Sequence, residues 1–138
     1  MRVFLDANVL FSAAYRKTGS TRVFFELAAT GMCTLVCSAH AIEEARRNIA
    51  ARYPDRLGDL DDLVARLEIC PEPRPAAIDR ASAHRLPPKD APILAAAMEA
   101  GCHVLVTGDR ADFGHLFGRR LGGTVVMLPT DAIELMLG

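Results

Sequence analysis

The chain has 138 residues, of which 51% are hydrophobic and 24% are charged, and its formal net charge is −1 at pH 7. This length and composition predict one globular domain with a sizeable apolar core, and they exclude a disordered chain and a disulfide-stabilised mini-protein. The net charge gives no sign of nucleic-acid binding, and no stretch approaches the roughly 20 apolar residues that span a bilayer. We therefore expect a cytoplasmic protein.

Apolar runs typical of strands alternate with segments of helical periodicity along the whole chain. In chain order, the predicted elements are a strand at residues 2–5, a helix at 7–15, a loop at 16–21, a helix up to Gly31, a strand at 33–37, helices at 39–53 and 55–67, a strand at 68–70, a stiff connection at 71–75, helices at 76–84 and 90–100, a strand at 103–106, a loop at 107–113, a strand at 124–128 and a C-terminal helix after Pro129. This order predicts a three-layer α/β/α domain, residues 1–138, with a mainly parallel five-stranded sheet.

Capping residues define several helix ends. Ser20 or Thr21 is the expected N-cap of the second helix, and Gly31 is the expected stop. Ser38 is placed to cap the third helix, and Gly101 follows the helix at residues 90–100.

Five carboxylates stand at or near one predicted edge of this sheet. They are Asp6, Glu44, Asp90, Asp109 and Asp112. Asp6 directly follows the first strand, and Asp109 closely follows the fourth. Because sites in parallel sheets form beyond the carboxyl ends of strands, we expect these side chains to converge.

Each carboxylate also has an ordinary structural explanation. Asp6 and Asp90 are placed as helix caps, Asp109 as a turn residue, and Glu43 and Glu44 as a solvated helix face. Together, however, they would repel one another and raise at least one pKa unless a cation compensates. Hard oxygen ligands suit Mg²⁺ or Mn²⁺, and such an ion assists phosphodiester hydrolysis by polarising the phosphoryl group and acidifying a bound water.

Four segments carry a resemblance to a known family. They are FLDANVL at residues 4–10, SAHAIEEARR at 38–47, LPPKDAPILAAA at 86–97 and LVTGDRADF at 105–113. In order and spacing, the chain resembles the PIN domain nucleases over essentially its whole length, particularly the stand-alone, VapC-like toxins of toxin–antitoxin pairs. Each segment alone is weakly specific, whereas their combination is specific.

The resemblance implies an acidic metal pocket and assigns its residues. The catalytic and metal-binding carboxylates that it implies are Asp6, Glu44, Asp90 and Asp109, with Asp112 auxiliary and with Asn8 and Thr107 supporting the site by hydrogen bonds. Glu44 is preferred over Glu43 because it lies six residues after Ser38 and precedes Ala45, as the family's glutamate precedes a small or apolar residue. The chain departs from many members at Ala7, where they carry Thr or Ser.

The same resemblance implies a Mg²⁺- or Mn²⁺-dependent endoribonuclease with an RNA substrate, a cognate antitoxin protein as partner and a homodimeric state. The sequence does not distinguish RNA from DNA as the substrate, or one bound metal ion from two.

A polyanionic substrate needs cations beside an acidic pocket. The candidates are Arg16, Lys17, Arg22, Arg46, Arg47, Lys89 and Arg110. Lys89 and Arg110 are preferred because each adjoins a proposed ligand. Each of these side chains is equally well explained as ordinary charged surface.

A zinc site would use Cys33, Cys37 and His40, but their spacing matches no established ligand pattern. We expect all four cysteines to be buried thiols.

Two other functions compete with the nuclease. An aspartyl-phosphate phosphatase would use Asp6, but its D-x-D pattern is broken because Asn8 cannot act as the second acid. A non-catalytic interaction module with the same fold is the other alternative. Neither a G-x-S-x-G elbow nor a phosphate-binding glycine loop is present, so acyl transfer and nucleotide binding lack support.

Overall fold

A six-stranded sheet organises the chain, of which the computed structural model describes residues 1–138. The strands are β1 (Arg2–Leu5), β2 (Thr34–Ser38), β3 (Glu68–Cys70), β4 (Val104–Val106), β5 (Arg120–Leu121) and β6 (Thr124–Met127), in the spatial order β3-β2-β1-β4-β6-β5. All neighbouring strands are parallel except β5 and β6, which are antiparallel. The predicted α/β fold with a mainly parallel sheet is confirmed.

Eight helices connect and follow the strands. They are α1 (Ala7–Tyr15), α2 (Ser20–Ala29), α3 (Ala39–Arg52), α4 (Leu57–Val64), α5 (Pro75–Ser82), α6 (Ala91–Glu99), α7 (Arg110–Phe113) and α8 (Pro129–Leu137), with 3₁₀ turns at Pro54–Arg56 and Gly114–Leu116. None of the helices is long and apolar enough to cross a membrane.

The burial of strand β1 shows that both faces of the sheet are covered. Val3, Phe4 and Leu5 are consecutive, so their side chains point to opposite faces, yet all three are fully buried. Burial on both faces explains the continuous apolar run that the sequence has here, in place of an alternating pattern.

The expected number of strands, five, is one too low. Strand β5 has only two residues and pairs with β6 across Gly122 and Gly123, which both adopt positive φ. A two-residue turn with two positive φ angles requires glycine or a similar residue, so the Gly-Gly pair was the available hairpin signal. A two-residue strand is too short to show any periodicity of its own.

The segment expected as a loop at residues 107–113 contains the short helix α7. Asp109 caps this helix, because its Oδ1 accepts a hydrogen bond of 3.0 Å from the backbone N–H of Asp112. A single turn of helix has too few residues for the periodic pattern on which the sequence prediction depended.

The capping predictions had different outcomes. Ser38 caps α3, as predicted, by accepting a hydrogen bond of 3.2 Å from the N–H of Ala41. Gly31 ends α2 with a φ of 82°. The N-cap prediction for α2 was wrong, since the helix begins at Ser20 itself and Gly19 occupies the N-cap position without a side-chain bond.

All four cysteines are buried free thiols, as predicted. The Sγ atom of Cys37 donates a hydrogen bond of 3.3 Å to the carbonyl of Leu5. Burial raises the pKa of each thiol above its usual value, so these side chains are part of the core and poor nucleophiles.

Candidate metal centre

The site forms where the strand order of the sheet reverses, between β1 and β4. Leu5 and Val106 pair at the ends of these strands, and the N–H of Asp6 donates to the carbonyl of Val106 at 3.0 Å. Parallel sheets open a crevice at such a reversal, beyond the carboxyl ends of the two strands. The residues that leave β1 and β4 therefore face one another.

Asp6 is held in place by three hydrogen bonds. It is 3% exposed. Its Oδ1 accepts from the N–H of Ala7 at 2.7 Å, and its Oδ2 accepts from Asn8 Nδ2 at 3.0 Å and from Thr107 Oγ1 at 2.8 Å. The carboxylate thus has a single orientation, determined by both strands that meet here.

Asn8 and Thr107 join the loops that follow β1 and β4. The Oδ1 of Asn8 accepts from the N–H of Gly108 at 2.8 Å, and Thr107 Oγ1 accepts from the N–H of Asp109 at 3.1 Å. A Cβ at Gly108 would lie 3.3 Å from Asn8 Oδ1, which is a tight contact, so any larger residue here would push the side chain of Asn8 away from the loop. These are the two residues predicted to support the site by hydrogen bonding.

Asp90, Asp109 and Asp112 form a compact group of carboxylates, each with an oxygen within 4.8 Å of the others. Asp90 stands at the N-cap position of α6 but makes no capping hydrogen bond, so the ordinary explanation for this residue does not hold. Its Oδ2 is buried and has no hydrogen-bond partner. An orphaned buried carboxylate oxygen is costly, and a cation beside it would remove that cost.

One cleft of about 280 Å³ brings the predicted residues together. It is lined by Asp6, Asn8, Phe11, Glu44, Asn48, Arg52, Lys89, Asp90 and Asp109. Glu44 is half-buried and faces this cleft, whereas Glu43 is exposed and does not line it. Thr107 lies buried behind Asp6, and Asp112 joins the group from α7 without lining the cleft.

The carboxylates of the cleft are electrostatically crowded. Burial raises the pKa of Asp6 to about 6, with the charge of Glu44 adding to the shift and the hydrogen bonds from Thr107 and Ala7 opposing it. Burial and the neighbouring Asp112 carboxyl raise the pKa of Asp90 to about 7. The interaction with Asp90 holds the pKa of Asp112 below its usual range, and Lys89 acts in the same direction.

These features fit a divalent cation with oxygen ligands. The geometry supplies an orphaned oxygen on Asp90, two more carboxylates within reach of it, and Asp6 and Glu44 in the same cleft. Carboxylate oxygens are the ligands that Mg²⁺ and Mn²⁺ prefer, and the positive charge would relieve the repulsion that raises the pKa values.

The predicted cations are distributed unevenly around the cleft. Lys89 lines it and forms an ion pair of 3.3 Å with Asp112. Arg46 is engaged by Asp61 at 2.6 Å. Arg16, Arg47 and Arg110 are exposed without an ion pair, and Lys17 and Arg22 lie in a separate groove with Arg66.

Sequence reasoning missed three residues of the cleft, namely Phe11, Asn48 and Arg52. Asn48 and Arg52 lie four and eight residues after Glu44 on α3, so helical spacing was the signal that could have found them. Phe11, on α1, also forms part of the wall.

The comparison with known families decides the classification. A model described as "PIN domain" matches residues 2–111. The chain belongs to the PIN domain family. A search of curated protein sequences found no match.

Solved structures of other proteins share the fold. VapBC2 from Rickettsia felis, bound to a DNA fragment from its promoter, matches with a TM-score of 0.68 at 19% identity over 93% of this chain and 98% of that one. PAE2754 from Pyrobaculum aerophilum matches at 0.69 and 18% identity over 100% and 97% of the two chains. FitAcB from Neisseria gonorrhoeae matches at 0.58 and 19% identity over 93% and 98%.

The crowded carboxylates predict that divalent metal stabilises this PIN domain. At a metal concentration about 100 times the Kd, Mn²⁺ or Mg²⁺ should raise the free energy of unfolding by about 2.7 kcal/mol, which a thermal melt against EDTA detects as a higher Tm. Asp109→Asn should lose this increase, whereas the exposed control Asp131→Asn should keep it. Equal Tm values for the wild type in EDTA and in Mn²⁺ would contradict the assignment.

Proposed function

We propose that this PIN domain protein is a metal-dependent endoribonuclease and the toxin component of a toxin–antitoxin pair. The observation that carries the proposal is the buried, unpartnered Oδ2 of Asp90, a residue that lines the same cleft as Asp6, Glu44 and Asp109. A site built only for stability would pair this oxygen with a donor.

Mg²⁺ or Mn²⁺ would be held by Asp90, Asp109, Asp6 and Glu44, with Asp112 auxiliary. When bound, such an ion polarises the scissile phosphoryl group and lowers the pKa of water enough to make it a nucleophile.

The protein's own residues orient and neutralise the reactants. Asn8 and Thr107 keep the Asp6 carboxylate in one position, so no reorganisation is needed during the reaction. Lys89 and Arg52 border the cleft and supply positive charge for the phosphates of the substrate. Asn48 adds an amide that can donate to a phosphate or ribose oxygen.

The toxin assignment is supported by the family and by the extent of the structural match. The chain and the VapBC2 chain from Rickettsia felis each cover more than nine-tenths of the other. By this analogy we propose an antitoxin protein as partner, a homodimeric state and a cytoplasmic location.

Cleavage of defined substrates tests the activity. The purified protein should cut single-stranded RNA in Mg²⁺ or Mn²⁺, leave it intact in EDTA and act far less on DNA of the same sequence. Preferential cleavage of DNA would change the substrate class. No cleavage of RNA or DNA with either metal would favour the non-catalytic interaction module.

Lys89 should contribute to substrate affinity through charge alone. Lys89→Gln should raise KM for RNA and lower the slope of log affinity against log salt by about 0.7, because one phosphate contact is lost. Arg119→Gln removes an exposed charge that does not line the cleft and is the matched control. An identical salt slope for both variants would exclude Lys89 from the substrate path.

A further inference from the structure

Three aromatic side chains lie together beside the acidic cleft. Tyr15 and Tyr53 stack with ring centroids 4.0 Å apart and planes at 20°. Phe11 lies 6.2 Å from Tyr15 and 6.0 Å from Tyr53 by ring centroid. All three are only half-buried, and Phe11 is also part of the cleft wall. We call Phe11, Tyr15 and Tyr53 the aromatic platform.

The guanidinium of one arginine lies over two of the three rings. The guanidinium of Arg52 lies 5.4 Å from the ring centroid of Phe11 and 5.6 Å from that of Tyr53, within the range of cation–π attraction. Arg52 is exposed and makes no ion pair with a carboxylate. Its charge is therefore free for an anionic ligand.

Two packed helices connect the platform to the carboxylates. On α1, Asn8 lies beside Asp6, and Tyr15 follows seven residues later, which is about 10 Å along the helix. On α3, Glu44, Asn48 and Arg52 follow one another at intervals of four residues and all line the cleft. The cleft thus runs along α1 and α3 from an acidic end to an aromatic, cationic end.

We propose that the aromatic platform and Arg52 bind a nucleotide of single-stranded RNA next to the one that is cut. A base stacks on the exposed aromatic surface, and Arg52 contacts the adjoining phosphate. Stacking on aromatic side chains is the usual way in which proteins hold single strands, and a paired base inside a duplex would not offer its face. The inference rests on the proposed ribonuclease function and adds to it a preference for unpaired substrate.

Charge complementarity favours RNA over an apolar protein segment as the occupant. A purely apolar partner would leave the Arg52 guanidinium desolvated without a counter-ion, which is costly. A strand of RNA supplies the aromatic face and the anionic group together.

Equilibrium binding in EDTA, which keeps RNA intact, tests the platform. The probes are a fluorescently labelled single-stranded RNA and an abasic ribose-phosphate strand of the same length and charge. The wild type should bind the RNA about tenfold more tightly than the abasic strand, as expected for one stacked base. The Tyr15→Leu and Tyr53→Leu variants should bind the RNA and the abasic strand with equal affinity.

Conservative variants separate stacking from folding. Tyr15→Phe and Tyr53→Phe keep the ring and should retain the preference for RNA, even if the leucine variants are less stable. Arg52→Gln should weaken binding of both strands equally, because both carry phosphate. Arg66→Gln, an exposed arginine in another groove, should change neither.

Several results would overturn the proposal. The proposal is wrong if the wild type binds the abasic strand as tightly as RNA, or if the leucine variants keep the full preference for RNA. It is also wrong if Arg66→Gln lowers the affinity for both strands as much as Arg52→Gln does. Loss of dimerisation in the leucine variants with unchanged RNA binding would assign the surface to a second copy of the chain. RNA cleavage in Mn²⁺ is measured separately. If the wild type cleaves RNA but does not prefer RNA over the abasic strand, only the proposed role of the aromatic platform is wrong. If it prefers RNA but does not cleave it, only the proposed ribonuclease activity is wrong.

Discussion

Asp90→Asn should lose metal-dependent RNA cleavage by at least about a hundredfold and, in metal-free buffer, should unfold at higher denaturant concentration than the wild type. The activity falls because the substitution removes the charge of the carboxylate with the orphaned oxygen. The stability rises because a buried ionised group without a hydrogen-bond partner is replaced by a neutral amide of similar shape. The expected gain is about 1–2 kcal/mol at about pH 8.

The stability gain of Asp90→Asn should increase as the pH rises. Burial raises the pKa of Asp90 to about 7 in the folded state, above its ordinary value of 3.8. Below about pH 4 the group is protonated in both states and costs nothing, and the cost grows as the pH rises towards 7. The variant lacks this group, so urea unfolding in EDTA should show a larger difference at about pH 8 than at about pH 4.5.

Asp6→Asn is the informative comparison, because burial raises the pKa of both residues but the oxygens of Asp6, unlike the Oδ2 of Asp90, have hydrogen-bond donors. Asp6 accepts three hydrogen bonds, and an amide nitrogen in place of Oδ2 would face the donors of Asn8 and Thr107. This variant should lose both activity and about 1–3 kcal/mol of stability. If Asp90→Asn were as destabilising as Asp6→Asn, or remained active, the assignment of Asp90 as a metal ligand would be wrong.

Thr107→Val should lower kcat by about 10- to 100-fold while leaving KM for RNA nearly unchanged. Thr107 is fully buried and does not line the cleft, so it acts on the reaction only through its hydrogen-bond partners Asp6, Asn8 and Asp109. Valine keeps most of the volume but removes the hydroxyl. Asp6 then loses a donor, and the N–H of Asp109 loses its acceptor, which should cost about 2–3 kcal/mol of stability.

Thr107→Ser is the matched control. It keeps the hydroxyl and removes one buried methyl group, which costs about 1 kcal/mol. Steady-state kinetics and urea unfolding of the two variants separate the roles of the hydroxyl and the methyl. Equal kcat values for the serine and valine variants would show that the hydroxyl does not position the carboxylates.

Much of the site follows from local sequence because parallel strands deliver their next residues to one edge. The apolar run before Asp6 and the short link between the strand at 103–106 and Asp109 were enough to place both carboxylates at that edge. Asp90 was harder to predict, since a helix cap explains an aspartate at that position equally well. The structure removes this explanation because Asp90 makes no capping bond.

The preference for Glu44 over Glu43 depended on resemblance, and the geometry shows what underlies it. The two residues are adjacent on α3 and point about 100° apart around the helix. Only the rotation of α3 against α1 and the sheet decides which one faces the cleft. The packed structure turns Glu44 inward and leaves Glu43 in solvent.

Local sequence patterns were sufficient to predict the α/β class, the mainly parallel sheet and the carboxylates that follow its strands, because hydrophobic periodicity and capping are local properties. The packing of the helices determines which other side chains share the cleft with these carboxylates. Phe11, Asn48 and Arg52 enter it because α1 packs against α3, and the unpartnered Oδ2 of Asp90 belongs to a carboxylate grouped with those of Asp109 and Asp112. Contacts between residues far apart in the chain leave no periodic signal, so neither the orphaned oxygen nor the aromatic platform was visible before the chain was folded.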